Sequence, residues 1–373
     1  MFRFRMKGKK KILLVSNGFY PEISPRSYRA TELAKEFTRQ GHAVTVISKY
    51  RDNNYSEYLK EYPLTFKMWS KAKLPRVPHF KRNFLNHLSR RISRLISLLF
   101  EYPAVEEMFH VKKALKHENG YDLLISFAVP YPVHWGVAWA WSKKHRIAGV
   151  WVADCGDPYM GDVLDRFKHP FYFKYFERWF CKKADFISIP IKSAMSGYYP
   201  EFHYKIRIIP QGFNFSLNVK DKKQQLYNIP KFAYAGSFLQ GIRDPGLLMQ
   251  FLVKINMPFK FYVFTDQMET LNGYIESLNE KLILSGFIER TDLMDKLSEM
   301  DFLINFDNNT RLNVPSKLID YAIVGRPVLN IDKDFRMENL LDFLNGDYSN
   351  RMELPDAGNY HIAKVSKQFL SLF

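Results

Sequence analysis

The chain has 373 residues, 46% of them hydrophobic, which exceeds what one compact core usually holds and suffices for two domains of roughly 150–200 residues. Two cysteines, Cys155 and Cys181, exclude a disulfide framework and fit a reducing compartment. The formal charge of +17 sits wholly in the first half: residues 1–210 carry 37 Lys+Arg against 18 Asp+Glu, so any anionic surface is met there.

The opening MFRFRMKGKKKILLVS places basic residues before an apolar segment of only five residues, too short for a signal peptide and suited to a first strand, Lys11–Ser16. The loop NGFYPEISPRS, a helix YRATELAKEFTRQ ended by Gly41, and a strand His42–Ser48 complete one right-handed βαβ unit of a parallel sheet. Tyr62–Phe100 then holds nine basic residues and no acidic one. Within it, FLNHLSRRISRLISLLF puts Leu88, Ile92, Leu95 and Leu99 on one helical stripe, with Arg90, Arg91 and Arg94 beside or opposite. A core-facing helix with solvated arginines and a helix lying on anionic lipid both fit. Nucleic acid rests on charge alone, because no base-reading motif is present.

Leu123–Ser142 lacks Asp, Glu, Lys and Arg over about the length of a membrane span, but Pro130 and Pro132 interrupt it. It reads as a buried strand, a proline turn and a helix. Further strands are expected at Tyr121–Phe127, Gly149–Ala153 and Phe186–Pro190. The polar stretch FNFSLNVKDKKQQLYNIPK marks a domain joint at 213–230. Beyond it, strands at Phe232–Ser237, Phe259–Thr265, Leu282–Phe287, Phe302–Phe306 and Pro327–Ile331 alternate with helices near Pro245–Ile255, Met268–Leu278, Thr291–Met300 and Pro315–Val324. The class is α/β, with two doubly wound Rossmann-like sheets: a first domain over 1–212 carrying the basic insertion near 62–100, and a second over 231–350 followed by a segment 351–373.

In the second domain, ligand-facing residues belong at the carboxyl ends of the strands. AGSFLQGIRDP supplies Gly236, where backbone can come close to a ligand, and Arg243, a fixed charge. Gly286-Phe287-Ile288 offers backbone groups to a planar base. The amides of Ser316 and Lys317 open a helix whose dipole favours phosphate, and Asp320, one turn on, can accept from a ribose diol. Singly, Ser316 is a cap, Arg243 a surface cation and Asp320 a solvated helical residue; together they suit a nucleoside diphosphate.

AGSFLQGIRDP, LSEMDFLINF and VPSKLIDYAIVGRPVL resemble the C-terminal domain of glycosyltransferase family 4, and KILLVSNGFYPEISPRSYRATELAKEFTRQGHAVTVIS and KIRIIPQGFN are similar to its N-terminal opening and interdomain segment. The resemblance implies a GT-B fold, two Rossmann-like domains facing across a cleft, and transfer of a sugar from a nucleotide donor with retention of configuration. It places Asp320 at the second glutamate of a Glu-x7-Glu pair, which holds the ribose, and Leu312 where the first would meet the donor sugar, with Asn313 the nearest polar substitute. Arg243 takes the place of a diphosphate-neutralising residue, and Ser237 that of a second cation. Ser24-Pro25-Arg26-Ser27 replaces a Gly-Gly pair near the donor phosphates, with Arg26 supplying charge.

A family histidine after the strand Leu123–Phe127 has its closest match at Ala128, leaving His134, six residues on, as a catalytic or acceptor-binding candidate against a buried, satisfied histidine. WVADCGDPY resembles the acidic segment in which Asp154 and Asp157 face the acceptor, and 351–373 is implied to return to the first domain. Neither an Asp-x-Asp pair nor a His/Cys array is seen, so neither metal nor cofactor is expected beyond the donor itself. The acceptor implied is a saccharide, lipid-linked at the cytoplasmic membrane face, with no nucleic acid as partner. Two other readings stay open: a sugar-nucleotide 2-epimerase, and a non-catalytic membrane- or polyanion-binding module that keeps the fold.

Overall fold

Runs such as KILLVS and YDLLISF are apolar without alternation because both faces of their strands are covered by helices, as in parallel sheets. The computed structural model describes residues 8–22, 24–71, 73–74, 83–161, 168–215, 229–238, 243–286, 288–307 and 316–373. Two units are present, one formed by Met1–Asn214 with Tyr360–Phe373 and the other by Phe215–Asn359. The polar joint therefore divides at 214/215, while 351–359 stays with the second unit.

The first unit carries seven parallel strands: β1 (Lys11–Ser16), β2 (Ala43–Ser48), β3 (Thr65–Met68), β4 (Tyr121–Phe127), β5 (Ala148–Asp154), β6 (Phe186–Ile189) and β7 (Ile206–Ile208). Their order is β3-β2-β1-β4-β5-β6-β7, with Ile12 of β1 opposite Val44 of β2 on one side and Leu123 of β4 on the other. Its helices are α1 (Pro25–Arg39), α2 (Ser56–Glu61), α3 (Asn83–Phe100), α4 (Glu106–Ala114), α5 (Pro132–Ala140) and α6 (Phe173–Lys183). α1 opens as its sequence dictates: the Ser24 hydroxyl accepts from the Ser27 amide at 3.2 Å, and Pro25 sits in the first turn, where no amide is needed. Its Ala30, Leu33, Ala34 and Phe37 pack onto Ile12 and Leu14, whereas Val111 of α4, Trp135 of α5 and Phe180 of α6 cover the opposite face around Leu13 and Leu124.

The charge-free stretch 123–142 resolves into β4, a turn and α5, and no described helix is long and apolar enough to cross a membrane. The amphipathic segment forms α3; of its stripe, Ile92 and Leu95 are exposed and Leu99 is half-buried, and Phe100 at its end is exposed.

The second unit has β8 (Lys231–Ala235), β9 (Lys260–Phe264), β10 (Leu282–Ser285), β11 (Phe302–Phe306) and β12 (Val328–Ile331), all parallel, in the order β10-β9-β8-β11-β12. Its helices are α7 (Gly246–Lys254), α8 (Ile275–Leu278), α9 (Arg290–Ser298), α10 (Ser316–Val324) and α11 (Met337–Leu344). Residues of α7 and α11 pack on one face with Phe232 and Phe302, while Leu297 of α9 and Leu318, Tyr321 and Val324 of α10 share the other with Ala233 and Leu303. The strand order reverses between β8 and β11, which leaves a crevice at their carboxyl ends.

The chain then returns to the first unit as α12 (Ile362–Leu370). Ile362, Val365 and Phe369 join the α1 side of its core, and the Gln40 side-chain amide donates to the Ser366 hydroxyl at 2.8 Å.

Candidate functional site

A cavity of about 290 Å³ opens at the carboxyl ends of the second sheet, lined by Gly236 and Ser237 after β8, Thr265 and Asp266 after β9, Gly286 and Ile288 after β10, and Lys317, Asp320 and Tyr321 of α10. Tyr321 fixes α10 there. It is fully buried, its hydroxyl accepts from the Ala235 amide at 3.0 Å and donates to the Ile304 carbonyl at 3.1 Å, and so pins the helix start to the ends of β8 and β11. The first-turn amides of such a helix have no intrahelical acceptor, so the partial positive end of α10 lies at the cavity wall.

Lys317 lies against the Tyr234 ring, its ammonium 4.8 Å from the ring centre. Its Nζ and the Nε of Arg243 are both buried without a hydrogen-bond partner among the described residues. Burial first, then the neighbouring Arg243 charge, pulls the Lys317 pKa down to about 7. Asp307 offsets only part of the cost of burying this charge, and an anion entering beside it removes more. Gly236 takes φ of 143°, and a Cβ there would sit 3.1 Å from the Tyr234 hydroxyl; the tight turn keeps this end of β8 open toward Lys317. Ser237 donates to the Asp266 carboxylate at 3.3 Å.

Asp320 is less open than a solvated helical residue. The Nε and Nη2 of Arg290 both donate to its Oδ1, at 3.0 and 2.5 Å. Burial raises the Asp320 pKa, and Arg290 works against that rise. The predicted set Gly236, Ser237, Gly286, Lys317 and Asp320 thus meets in one cavity, and Arg243 acts on it through charge. Ser316 begins α10, while Phe287, Leu312 and Asn313 lie outside the described residues. Arg290 was absent from the sequence reading, although a signal existed: α9 enters β11 and α10 leaves it on the same face, so their first turns become neighbours.

In the first unit the candidates part company. His134 is wholly buried, with Nδ1 2.8 Å from the Ser126 hydroxyl, Nε2 3.5 Å from the Cys155 sulfur, and the rings of Tyr131 and Phe180 beside it. Burial lowers its pKa to about 3, so it stays neutral, and this geometry is that of a satisfied core histidine rather than one facing an acceptor. Asp154 is also buried, held by Arg29 through Nε–Oδ2 (2.6 Å) and Nη2–Oδ1 (2.7 Å), by Arg26 (3.2 Å) and by the Ser188 hydroxyl (2.6 Å). Burial alone would raise its pKa, but these partners outweigh it and hold the carboxyl below its ordinary value.

Arg29 also donates to the Pro210 and Ile209 carbonyls at 2.6 and 3.0 Å, so Asp154 ties α1 and β5 to the chain leaving β7. Arg26 lies over Gly156, where a Cβ would come within 2.0 Å of its guanidinium. Asp157 alone of the acidic segment is exposed, its carbonyl taking the Tyr131 and Tyr198 hydroxyls.

No protein-family profile matches the sequence, and no curated protein matches it. Among solved structures, a glycosyltransferase from Rickettsia africae ESF-5 is similar with a TM-score of 0.59 and 14% identity, covering 98% of each chain. HepE (Alr3699) of Anabaena, solved in complex with UDP and glucose, has a TM-score of 0.55 and 12% identity over 97% of this chain and 98% of its own. WaaB, a lipopolysaccharide outer core galactosyltransferase in its apo form, has a TM-score of 0.55 and 11% identity with the same coverage. At these identities the likeness is one of fold. The two parallel sheets with alternating helices are those of GT-B glycosyltransferases.

Proposed function

We propose that the chain is a glycosyltransferase that moves a sugar from a nucleoside-diphosphate sugar to a saccharide acceptor with retention of configuration. The observation that carries this reading is a pair of buried cationic atoms without a hydrogen-bond partner among the described residues, Lys317 Nζ and Arg243 Nε, beside the amino end of α10. Negative charge develops on the leaving diphosphate during glycosyl transfer, and preorganised cations with helix amides stabilise it where it forms. Asp320 then takes the ribose, and the loop containing Gly286 the base. UDP is the first carrier to test, since it is the ligand of HepE, a structure of the same fold.

The acceptor is proposed to be lipid-linked, met at the inner face of the cell membrane by a peripheral contact. Support comes from α3, which exposes Ile92 (45%), Leu95 (54%) and Phe100 (61%) beside the exposed Arg91 and Arg94. Exposed aromatics also lie on α4 and α5: Phe109 and Trp139 pack edge to face at 5.5 Å, with the Lys112 ammonium 3.7 Å from the Trp139 ring centre. Apolar area and basic charge act together at anionic bilayers. The protein is expected to sediment with vesicles containing anionic lipid, and to lose most of that binding in high salt or when Arg90, Arg91 and Arg94 become glutamate. Binding unchanged by both treatments would reject the contact.

Incubation with a panel of UDP- and GDP-sugars separates the chemical readings. Slow donor hydrolysis, or transfer to added saccharide lipid, is expected. An epimerised sugar would instead point to the 2-epimerase, a chemistry for which the cavity offers Asp266 and Asp320 but no histidine among its described lining residues. No nucleotide binding would leave only the non-catalytic module.

A further inference from the structure

Asp320 is an unusual ribose acceptor because its own neighbourhood disfavours its charge. It stands in a wall that includes Phe264, Ile288, Leu293, Leu297 and the buried Tyr321, with the carboxylate side chain only 20% exposed. A carboxyl there tends to take up a proton, and the neutral form is the weaker acceptor of hydroxyl hydrogens. Lys317 and Asp266 line the same cavity, but among the described residues the ion pair with Asp320 comes from Arg290. Arg290, the first residue of α9, places both Nε and Nη2 on Oδ1, whereas Oδ2 enters no hydrogen bond among the described residues. The pairing is one-sided: the guanidinium grips one oxygen from the α9 side and leaves the other for a ligand.

We propose that Arg290 is a positioning residue for the nucleotide sugar, holding Asp320 ionised and turned so that Oδ2 receives the ribose hydroxyls. This deepens the donor-binding reading and rests on it. Because these two guanidinium contacts both go to Asp320, the proposed effect is selective for the ribose contact. It governs how well the site distinguishes ribose from deoxyribose and leaves most of the diphosphate contribution in place.

The test is calorimetry with UDP and GDP and their 2′-deoxy and 3′-deoxy analogues, at about pH 6 and about pH 8, on the wild type, Arg290→Gln and Arg290→Lys. One lost hydrogen bond to a charged group corresponds to a preference for the ribonucleotide of roughly 10- to 100-fold in the wild type, equal at both pH values. In Arg290→Gln that preference is expected to fall several-fold, and further at pH 6 than at pH 8, because burial raises the Asp320 pKa and the cation that opposes the rise is gone. Arg290→Lys restores the charge and flattens the pH dependence. The phosphates' own titration cancels in the ratio. A structural role alone would weaken ribo- and deoxyribonucleotides alike with an unchanged ratio, and that result overturns the proposal, as does a wild type indifferent to the sugar hydroxyls. Absence of any nucleotide binding in the wild type would remove the donor-site reading along with it.

Discussion

Calorimetry with UDP is expected to show a loss of at least about 100-fold in affinity when Lys317→Met and Arg243→Gln are combined, with the protein still folded. Hydrogen bonds to charged groups contribute about 1.5–3 kcal/mol each, so two lost together amount to roughly 10²–10⁴ in affinity. Folding should not suffer, because both atoms are buried without a partner and their removal relieves a desolvation cost. The same titrations carry a pH signature. Lys317 has a pKa near 7 before ligand enters, and an adjacent phosphate raises it, so binding takes up a proton above that pH. Wild-type affinity is therefore expected to be greatest at and below about pH 7 and to decline by up to about tenfold per unit above it, whereas Lys317→Met shows no such decline. Equal heats for the wild type and the double variant would remove the phosphate site, and the proposed transferase with it.

Asp154→Ala is expected to destabilise the first unit by about 3–5 kcal/mol. Removing one partner of a buried ion pair leaves the other charged and unsatisfied, and Arg29 has only 3% of its side chain exposed. Replacing both, as Asp154→Leu with Arg29→Met, should cost less than Asp154→Ala alone, because no lone charge remains, although the Arg29 bonds to the Ile209 and Pro210 carbonyls are lost too. Urea unfolding followed by tryptophan fluorescence isolates this effect, since all six tryptophans lie in the first unit. Acid gives a second check. Asp154 has a depressed pKa in the fold, so its contribution is complete above the unfolded value of about 3.9 and disappears as pH falls through the folded value. The variant should accordingly lose less further stability between about pH 5 and about pH 2 than the wild type. A midpoint unchanged by Asp154→Ala would mean that the pair contributes nothing net.

Strand positions were legible because burial on both faces gives near-continuous apolar runs: Lys11–Ser16, Tyr121–Phe127 and Phe302–Phe306 coincide with β1, β4 and β11. The edge strands of the first sheet were not. β3 reads Thr-Phe-Lys-Met with mostly exposed side chains, and β7 has three residues, so neither carries a period. The helix that opens with Ser316 was visible through its proline, its apolar face and the Gly325 that follows, which takes φ of 71°. What the sequence hid was pairing. Asp154 and Arg29 stand 125 positions apart, and only the sheet order brings the end of β5 beside α1. Composition likewise could not say that His134 would be sealed between Ser126 and Cys155, since a histidine near tryptophans is equally consistent with a pocket and with a core.

The return of α12 to the first unit reverses the order in which the protein can mature on the ribosome. Phe215–Asn359 is one uninterrupted stretch, whereas the core around Ile12, Leu14 and Phe37 lacks Ile362, Val365 and Phe369 until α12 has been synthesised. The half that is translated first is thus the half that finishes last. A premature stop shortly before Tyr360 would release a chain whose later portion is complete and whose earlier portion exposes a strip of its interior to chaperones and proteases.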